Sequence, residues 1–490
     1  MLSDAQSDPI LSKAEYEKEE PILRTALLKA QYQQLEKANK SLLIVVAGID
    51  GVGKGATINL LNEWMDPRHI HTMTFDPPES KGENIPSFRC YWDEMPAKGS
   101  TAIVFGSWYA ELLREAVSKK PRVRWIAAYA DAITRFEAGL AANGVQVVKL
   151  WFHISAEAQE KRTTALLSNP DTAWQVTRND LKVQKKYDRL CRAGEYVINL
   201  LNPSHAPWTI IPSADERMRA VCTAKAVLHA LQHRPRLPKE KTFGTPRVSK
   251  ARTPNRLEEL NYEDTLSKDD YESSLYSLQS RLAKFARSDA FKNRSLILVF
   301  EGQDAAGKGG AIRRVTRAFD LRQYDAYPIS APTHDELSRP YLWRFWRRMP
   351  RPGRIAIFDR SWYGRVLVER VEGYAQPAEW KRAYAEINDF ERQQTDNGAI
   401  ILKFWLAITP EEQLQRFHQR QRSAFKNFKI TADDWRNREK WGPYVTAAND
   451  MFANTDCINA PWHVIPANDK FYARIEVLKR IVAALDDQLD

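Results

Sequence analysis

A chain of 490 residues is too long for one hydrophobic core, and 43% hydrophobic with 11% aromatic residues excludes wholesale disorder. Against 62 acidic residues stand 73 lysines and arginines, a formal charge of +11 that points to an anionic partner without naming the anion. No run of about eighteen apolar residues occurs, and the opening MLSDAQSDPILSKAEYEKEEP lacks the layout of a secretory signal, so a cytoplasmic chain without a membrane span is expected. The four cysteines, Cys90, Cys191, Cys222 and Cys457, show neither C-x-x-C nor Cys/His metal spacing and give no disulfide framework or zinc site.

In chain order, an amphipathic helix precedes the apolar run LLIVVAGIDGVGKGAT, which begins at Leu42 and ends in a glycine-rich turn. The polar stretch from His233 to Leu260, rich in Pro and Lys, cannot bury a core and reads as a linker. A second amphipathic helix and a second apolar run, LILVFEGQDAAGKGGA from Leu296, follow it. Beyond lie a helix from about Ala305 to Phe319 and buried strands Leu296–Glu301, Tyr324–Ile329, Arg354–Asp359, Ile400–Ile408 and His463–Pro466. Apolar strands alternating with helices predict an α/β fold, a mainly parallel sheet sandwiched by helices, with ligands beyond the carboxyl ends of the strands.

The two halves are copies. Gly48 and Gly302 stand 254 residues apart, and the same offset pairs Trp92 with Trp346, Ser107-Trp108-Tyr109 with Ser361-Trp362-Tyr363, Phe136-Glu137 with Phe390-Glu391, Lys149 with Lys403, and Trp208 with Trp462. A period this long is a tandem domain duplication. The expected boundaries are a first domain over 1–232, a linker over 233–260 and a second domain over 261–490.

GQDAAGKGG carries Gly302, Gly307 and Lys308 at Walker A spacing, yet Gly309, followed by a phosphate-loop Gly310, stands where a Ser or Thr hydroxyl would hold magnesium. A carboxylate, Asp304, has entered the loop, and the strand GRIAIFDRSWYGR ends in Asp359, a Walker B layout. Two carboxylates at strand ends suit Mg²⁺ bound alongside phosphate oxygens. Arg360 and Arg365 flank Asp359, and further cations include Arg344, Arg348, Arg416, Arg420, Lys426 and Lys429. This is more than a nucleoside triphosphate needs, and it suggests a longer polyanion.

These motifs, with APT (Ala331–Thr333), VERVEGY (Val368–Tyr374), FER (Phe390–Arg392) and KFWLAITPEEQLQRF, resemble the second polyphosphate kinase family. The resemblance implies tandem P-loop kinase-like domains. It implies Asp304 and Asp359 as metal and acceptor-positioning carboxylates, and Lys308 as a phosphate ligand. Arg360 and Arg365 become phosphate clamps, and about 416–434 a mobile basic lid. It further implies phosphoryl transfer from inorganic polyphosphate to a nucleoside monophosphate, chiefly AMP, as do two-copy members of the family. An ATP-dependent nucleoside monophosphate kinase, a kinase acting on nucleoside diphosphates and a nucleic-acid-binding module compete with it. Aromatics retained in both copies, even where charge reverses, argue for core and against the last.

The first copy keeps Asp50, Gly53 and Lys54, but Phe105, Gly106 and Glu111 replace Asp359, Arg360 and Arg365, and Leu166 replaces Arg420. Arg344, Arg347 and Arg348 become Cys90, Asp93 and Glu94. A catalytically silent first domain is expected. The oligomeric state is not readable from the sequence.

Overall fold

The computed structural model describes residues 2, 5–76, 87–178, 181, 184–233, 237, 255–425 and 427–489. Contacts divide the chain into two units, Met1–Thr242 with Pro332–Trp343, and Phe243–Ala331 with Arg344–Asp490. The segment Pro332–Trp343, placed in the second copy by sequence, therefore groups with the first unit. No helix among the described residues is long and apolar enough to cross a membrane.

In the first unit, helix α1 (Lys13–Lys37) leads to strand β1 (Ser41–Gly48) and helix α2 (Lys54–Trp64). Strands β2 (Ile70–Thr74), β3 (Thr101–Phe105), β4 (Val145–His153) and β5 (Trp208–Pro212) follow, then helix α3 (Glu216–Gln232). The strands form one parallel sheet in the order β2-β3-β1-β4-β5. The amphipathic character expected of α1 begins only at Leu23, which with Leu27, Ala30, Gln31 and Gln34 forms the buried stripe.

The second unit repeats this plan. Helix α4 (Lys268–Phe285) precedes β6 (Ser295–Gly302) and α5 (Lys308–Thr316), followed by β7 (Tyr324–Pro328), β8 (Ile355–Asp359) and helix α6 (Pro377–Asp396). Strand β9 (Ala399–Ala407), helices α7 (Pro410–Gln421), α8 (Ala432–Glu439) and α9 (Trp441–Thr455), strand β10 (Trp462–Pro466) and helix α10 (Lys470–Leu489) complete it. The parallel sheet runs β10-β9-β6-β8-β7. Leu296 to Phe300 of β6 are at most 1% exposed, as a central strand covered on both faces requires. The chain leaves β6 to one side and returns for β9 on the other, so the turn after β6 opens at the switch point of the sheet.

Strand bounds move by one residue from those read in the sequence. The helix expected from Ala305 starts at Lys308, because Ala305 (φ 64°) and Gly307 (φ 109°) are left-handed and keep the loop out of the helix. The expected linker falls largely outside the described residues. Its last six residues are docked onto the second unit: Leu257 is buried, Arg256 N–H donates to Asn449 Oδ1, and the Arg256 guanidinium pairs with Asp456.

Each unit encloses the same buried polar cluster. Lys149 Nζ lies 2.9 Å from Glu137 Oε2 and also donates to Tyr109 Oη and Leu201 O, while Trp108 and Tyr109 donate to Glu137. Lys403, Glu391, Tyr363, Trp362 and Thr455 O repeat this arrangement, with a 2.7 Å ion pair. The charge is matched and its donors are used, which is what a buried ion pair needs to persist. The Trp-Tyr, Glu and Lys identities shared by both copies are therefore features of the scaffold.

Candidate active site

Strand β6 delivers Glu301 and the loop Gly302 to Gly307, and β8 delivers Asp359, Arg360 and Ser361 beside it, since Phe300 pairs with Asp359 and Arg360 N–H donates to Phe300 O. Lys308, first residue of α5, curls back so that Nζ donates to Gly302 O at 2.8 Å and Gln303 O at 3.2 Å. Asp304 accepts from Arg360 Nη2 at 2.9 Å through one oxygen and from Asn437 Nδ2 at 2.8 Å through the other. Burial alone would raise the Asp304 pKa, but Lys308, Arg360 and the Asn437 hydrogen bond hold it below the ordinary carboxylate value. Burial pulls Lys308 down and pushes Glu301 up, the latter despite a 2.8 Å hydrogen bond from Ser361 Oγ. The Asp359 carboxylate makes no hydrogen bond or ion pair among the described residues.

Two cavities meet here. The larger, about 1570 Å³ of open space, runs over the loop and the start of α5 and is walled by Asp304, Lys308, Asp359, Arg360, Arg416 and Arg420, with Arg313, Lys470 and Arg474 further along. The smaller, about 720 Å³, lies against Glu301 and Gly302 and is walled by Leu367, Val368, Trp405, Trp441, Tyr444 and Val445. Asp304 and Arg360 border both, so the pair stands at the junction of a cationic compartment and a largely apolar one.

Among the residues singled out from the sequence, the larger cavity collects Asp304, Gly307, Lys308, Gly309, Gly310, Asp359, Arg360, Arg416 and Arg420, whereas Gly302 lines the smaller. Arg416 differs from its expected role as a lid cation. It is 3% exposed, and its guanidinium spends every donor on Glu412 and on the carbonyls of Ala305, Ala306, Ala467 and Asn468. It braces the loop from behind. The segment 416–434 begins as the regular helix α7, so the lid reading does not extend to Arg416.

Arg365, expected as a second clamp, pairs with Glu369 at 3.1 Å and lines neither cavity. Arg344 is buried, donating to Ser330 O and lying 5.4 Å from the Phe345 ring, and Arg348 donates to Arg344 O; both are outside the two cavities. Lys426 and the Lys429 side chain lie outside the described residues. Asn437, Gln413 (Nε2 to Asp304 O, 3.0 Å), Glu301, Lys470 and Arg474 were missed. A subtraction at the 254 offset would have exposed four of them, since the first copy has Val183, Ala47, Glu216 and Ala220 where the second has Asn437, Glu301, Lys470 and Arg474.

The family model of Polyphosphate kinase 2 (PPK2) matches residues 10–238 and again 265–490. The chain belongs to the polyphosphate kinase 2 family. It is 44% identical over 490 residues to the polyphosphate:AMP phosphotransferase of Pseudomonas aeruginosa PAO1, covering 99% of both chains. The protein of the same name from Acinetobacter johnsonii is 40% identical over 471 residues, 95% of this chain and 96% of that one. A crystal structure assigned to polyphosphate kinase 2 from P. aeruginosa PA01 superposes with a TM-score of 0.87 at 42% identity, covering 100% of this chain and 99% of the other.

Within this polyphosphate kinase 2 chain the two loops differ in what surrounds them. In the first unit Lys54 Nζ is held by Gly48 O at 3.0 Å and Asp50 Oδ1 at 2.8 Å, and lies 5.9 Å from the ring of Phe105, which replaces the carboxylate. Arg219, 2% exposed, presses its guanidinium against Gly53 at the start of α2 and donates to Thr57 Oγ1 and Ser213 O. At Gly106 (φ 78°) an added Cβ would lie 1.9 Å from Phe75 O, so no side chain fits where the second unit places Arg360 (φ 65°).

Proposed function

We propose that this protein is a cytoplasmic polyphosphate:AMP phosphotransferase and that its second unit carries the reaction. The observation that carries the reading is the Asp304–Arg360 pair at the junction of the two cavities. A polyanionic donor suits the compartment lined by Lys308, Arg313, Arg420, Lys470 and Arg474, and a nucleoside suits the one walled by Trp405, Trp441 and Tyr444. The names of the full-length relatives support the same donor and acceptor.

In the proposed reaction an oxygen of the AMP phosphate attacks the terminal phosphorus of polyphosphate. A new P–O bond forms as the phosphoanhydride P–O bond breaks, and the chain departs one unit shorter with the negative charge. Such transfers need positioning and charge neutralisation more than covalent help from the protein. Lys308 and the loop N–H groups hold the terminal phosphoryl group, Arg360 offsets charge on it in flight, and Asp304 with Asn437 orients the acceptor. Mg²⁺ would supply neutralisation between the phosphates. Asp359, a hard oxygen donor whose carboxylate has no hydrogen-bond or ion-pair partner among the described residues, suits holding it, and Asp304 can join by sharing its oxygens.

We assign the first unit a non-catalytic role, since it lacks the carboxylate and the clamp and its loop is occupied by Arg219. The test is transfer with Mg²⁺, comparing polyphosphate with ATP as donor and AMP with ADP as acceptor, alongside Asp359→Asn. ADP formed from polyphosphate and AMP, and abolished in the variant, is the expected result. Transfer from ATP alone, or an active variant, would overturn it.

A further inference from the structure

The residues that distinguish the second unit from the first include one with no place in the reaction as just described. Glu301 is the penultimate residue of β6, is 5% exposed, and replaces Ala47 of the first unit. Its Oε1 accepts from Ser361 Oγ at 2.8 Å, and Ser361 immediately follows Arg360. Arg360 occupies the left-handed region at φ 65°, where the first unit has Gly106 at φ 78°. A side chain is strained in that conformation and glycine is not. The strained arginine and the buried carboxylate that grips the next residue are thus present together in one copy and absent together in the other. Ser107, the counterpart of Ser361, is retained without that carboxylate. A serine kept for the fold alone needs only its bond from the Tyr109 amide, and this bond it keeps.

We infer that Glu301 is a positioning residue: through Ser361 it straps the turn after β8 to the end of β6, holding Arg360 in its strained conformation with the guanidinium on Asp304. The inference rests on the reading of Arg360 as the clamp of the transfer reaction. The carboxylate itself faces no donor phosphate, since it borders the smaller cavity and not the cationic one. A carboxylate only 5% exposed sits there at a desolvation cost, and the same burial pushes its pKa up.

The test uses Glu301→Ala, Glu301→Gln and Ser361→Ala in the full-length protein, with two readouts. Amide hydrogen exchange without substrate reads the strap directly. Exchange over residues 359–363 is expected to quicken about tenfold or more in Glu301→Ala and Ser361→Ala, and to stay near wild type in Glu301→Gln, whose amide oxygen still accepts from Ser361. The strap is refuted if exchange is unchanged in Glu301→Ala, whatever the enzyme does with polyphosphate. Turnover then reads the consequence. Glu301→Ala is expected to lower kcat about tenfold with little change in KM for either substrate, while Glu301→Gln stays within about threefold. In an Arg360→Gly background the Glu301→Ala effect is expected to shrink below twofold, because nothing is left to hold in place. Equal losses in the two backgrounds, or a Gln variant as impaired as Ala, would overturn the positioning role. Absence of transfer in the wild type would instead remove the function reading and leave the exchange result standing.

Discussion

Arg360 shows how much one position can be asked to do. Its left-handed backbone costs on the order of 1–2 kcal/mol, and its ion pair with Asp304, half exposed on the arginine side, returns little of that in stability. Arg360→Gly is therefore expected to leave the melting temperature unchanged or higher. Its kcat/KM should fall by about 10²–10³, the scale of one lost transition-state cation. Thermal melting and steady-state kinetics on the same sample check both halves. Glu301 gives a pH prediction. Its folded pKa lies above its unfolded value of about 4.5, so folding takes up a proton between the two and wild-type stability declines as pH rises through that window. Glu301→Gln has no such decline. The variant should match the wild type near pH 4 and melt progressively higher than it toward neutral pH, which melting curves at several pH values would read. Both residues escaped full notice in the sequence for the same reason. Arg360 stood out by its place after Asp359, but positive φ has no one-letter sign, and Glu301 reads as one more strand residue until Ala47 is set beside it.

At the scale of elements, the strands, their parallel pairing and the loop between β6 and α5 were legible because hydrophobic runs and glycine spacing are local signals. The direction in which long side chains turn was not. The sequence of α7 presents Arg416 and Arg420 one helical turn apart, yet Arg416 faces inward to four backbone carbonyls and Arg420 borders the cavity. Replacement of Arg416 by Ala strands those carbonyls, at about 1–3 kcal/mol for each left unsatisfied. Arg416→Ala should lose melting temperature and activity together. Arg420→Ala should keep its melting temperature and raise the KM for polyphosphate several-fold. If Arg416→Ala melts like the wild type, the bracing role is wrong. Nor does the sequence show that Arg344, Arg348 and Arg365, expected as phosphate ligands, line neither cavity and contact carbonyls or a carboxylate in this fold. Lys470 and Arg474 were hidden too, since they follow the end of the expected lid segment at 434 by 36 and 40 residues in sequence and reach the cavity only because α10 follows β10 across the sheet.

At the scale of the whole chain, the duplication is what made function readable from a single sequence, because each copy reports which residues the scaffold needs and which the chemistry needs. Lys54→Ala is expected to leave turnover within a few-fold, whereas Lys308→Ala should abolish it. Comparable losses would mean that the first loop takes part. Chelation of divalent cations should stop transfer while the melting temperature hardly moves, since Asp359 at the end of β8 and Asp304, held in its loop by Arg360 and Asn437, do not depend on the ion to fold. The contact between Gly106 and Phe75 O has a further consequence. Once the clamp arginine is a glycine, the main chain of the neighbouring segment can settle into the vacated space, and an arginine restored there meets backbone. Loss of the ligand residues in the first unit then works as a ratchet. Phe105→Asp with Gly106→Arg should yield an inert and less stable chain, and reviving that half would require moving the backbone before changing its side chains.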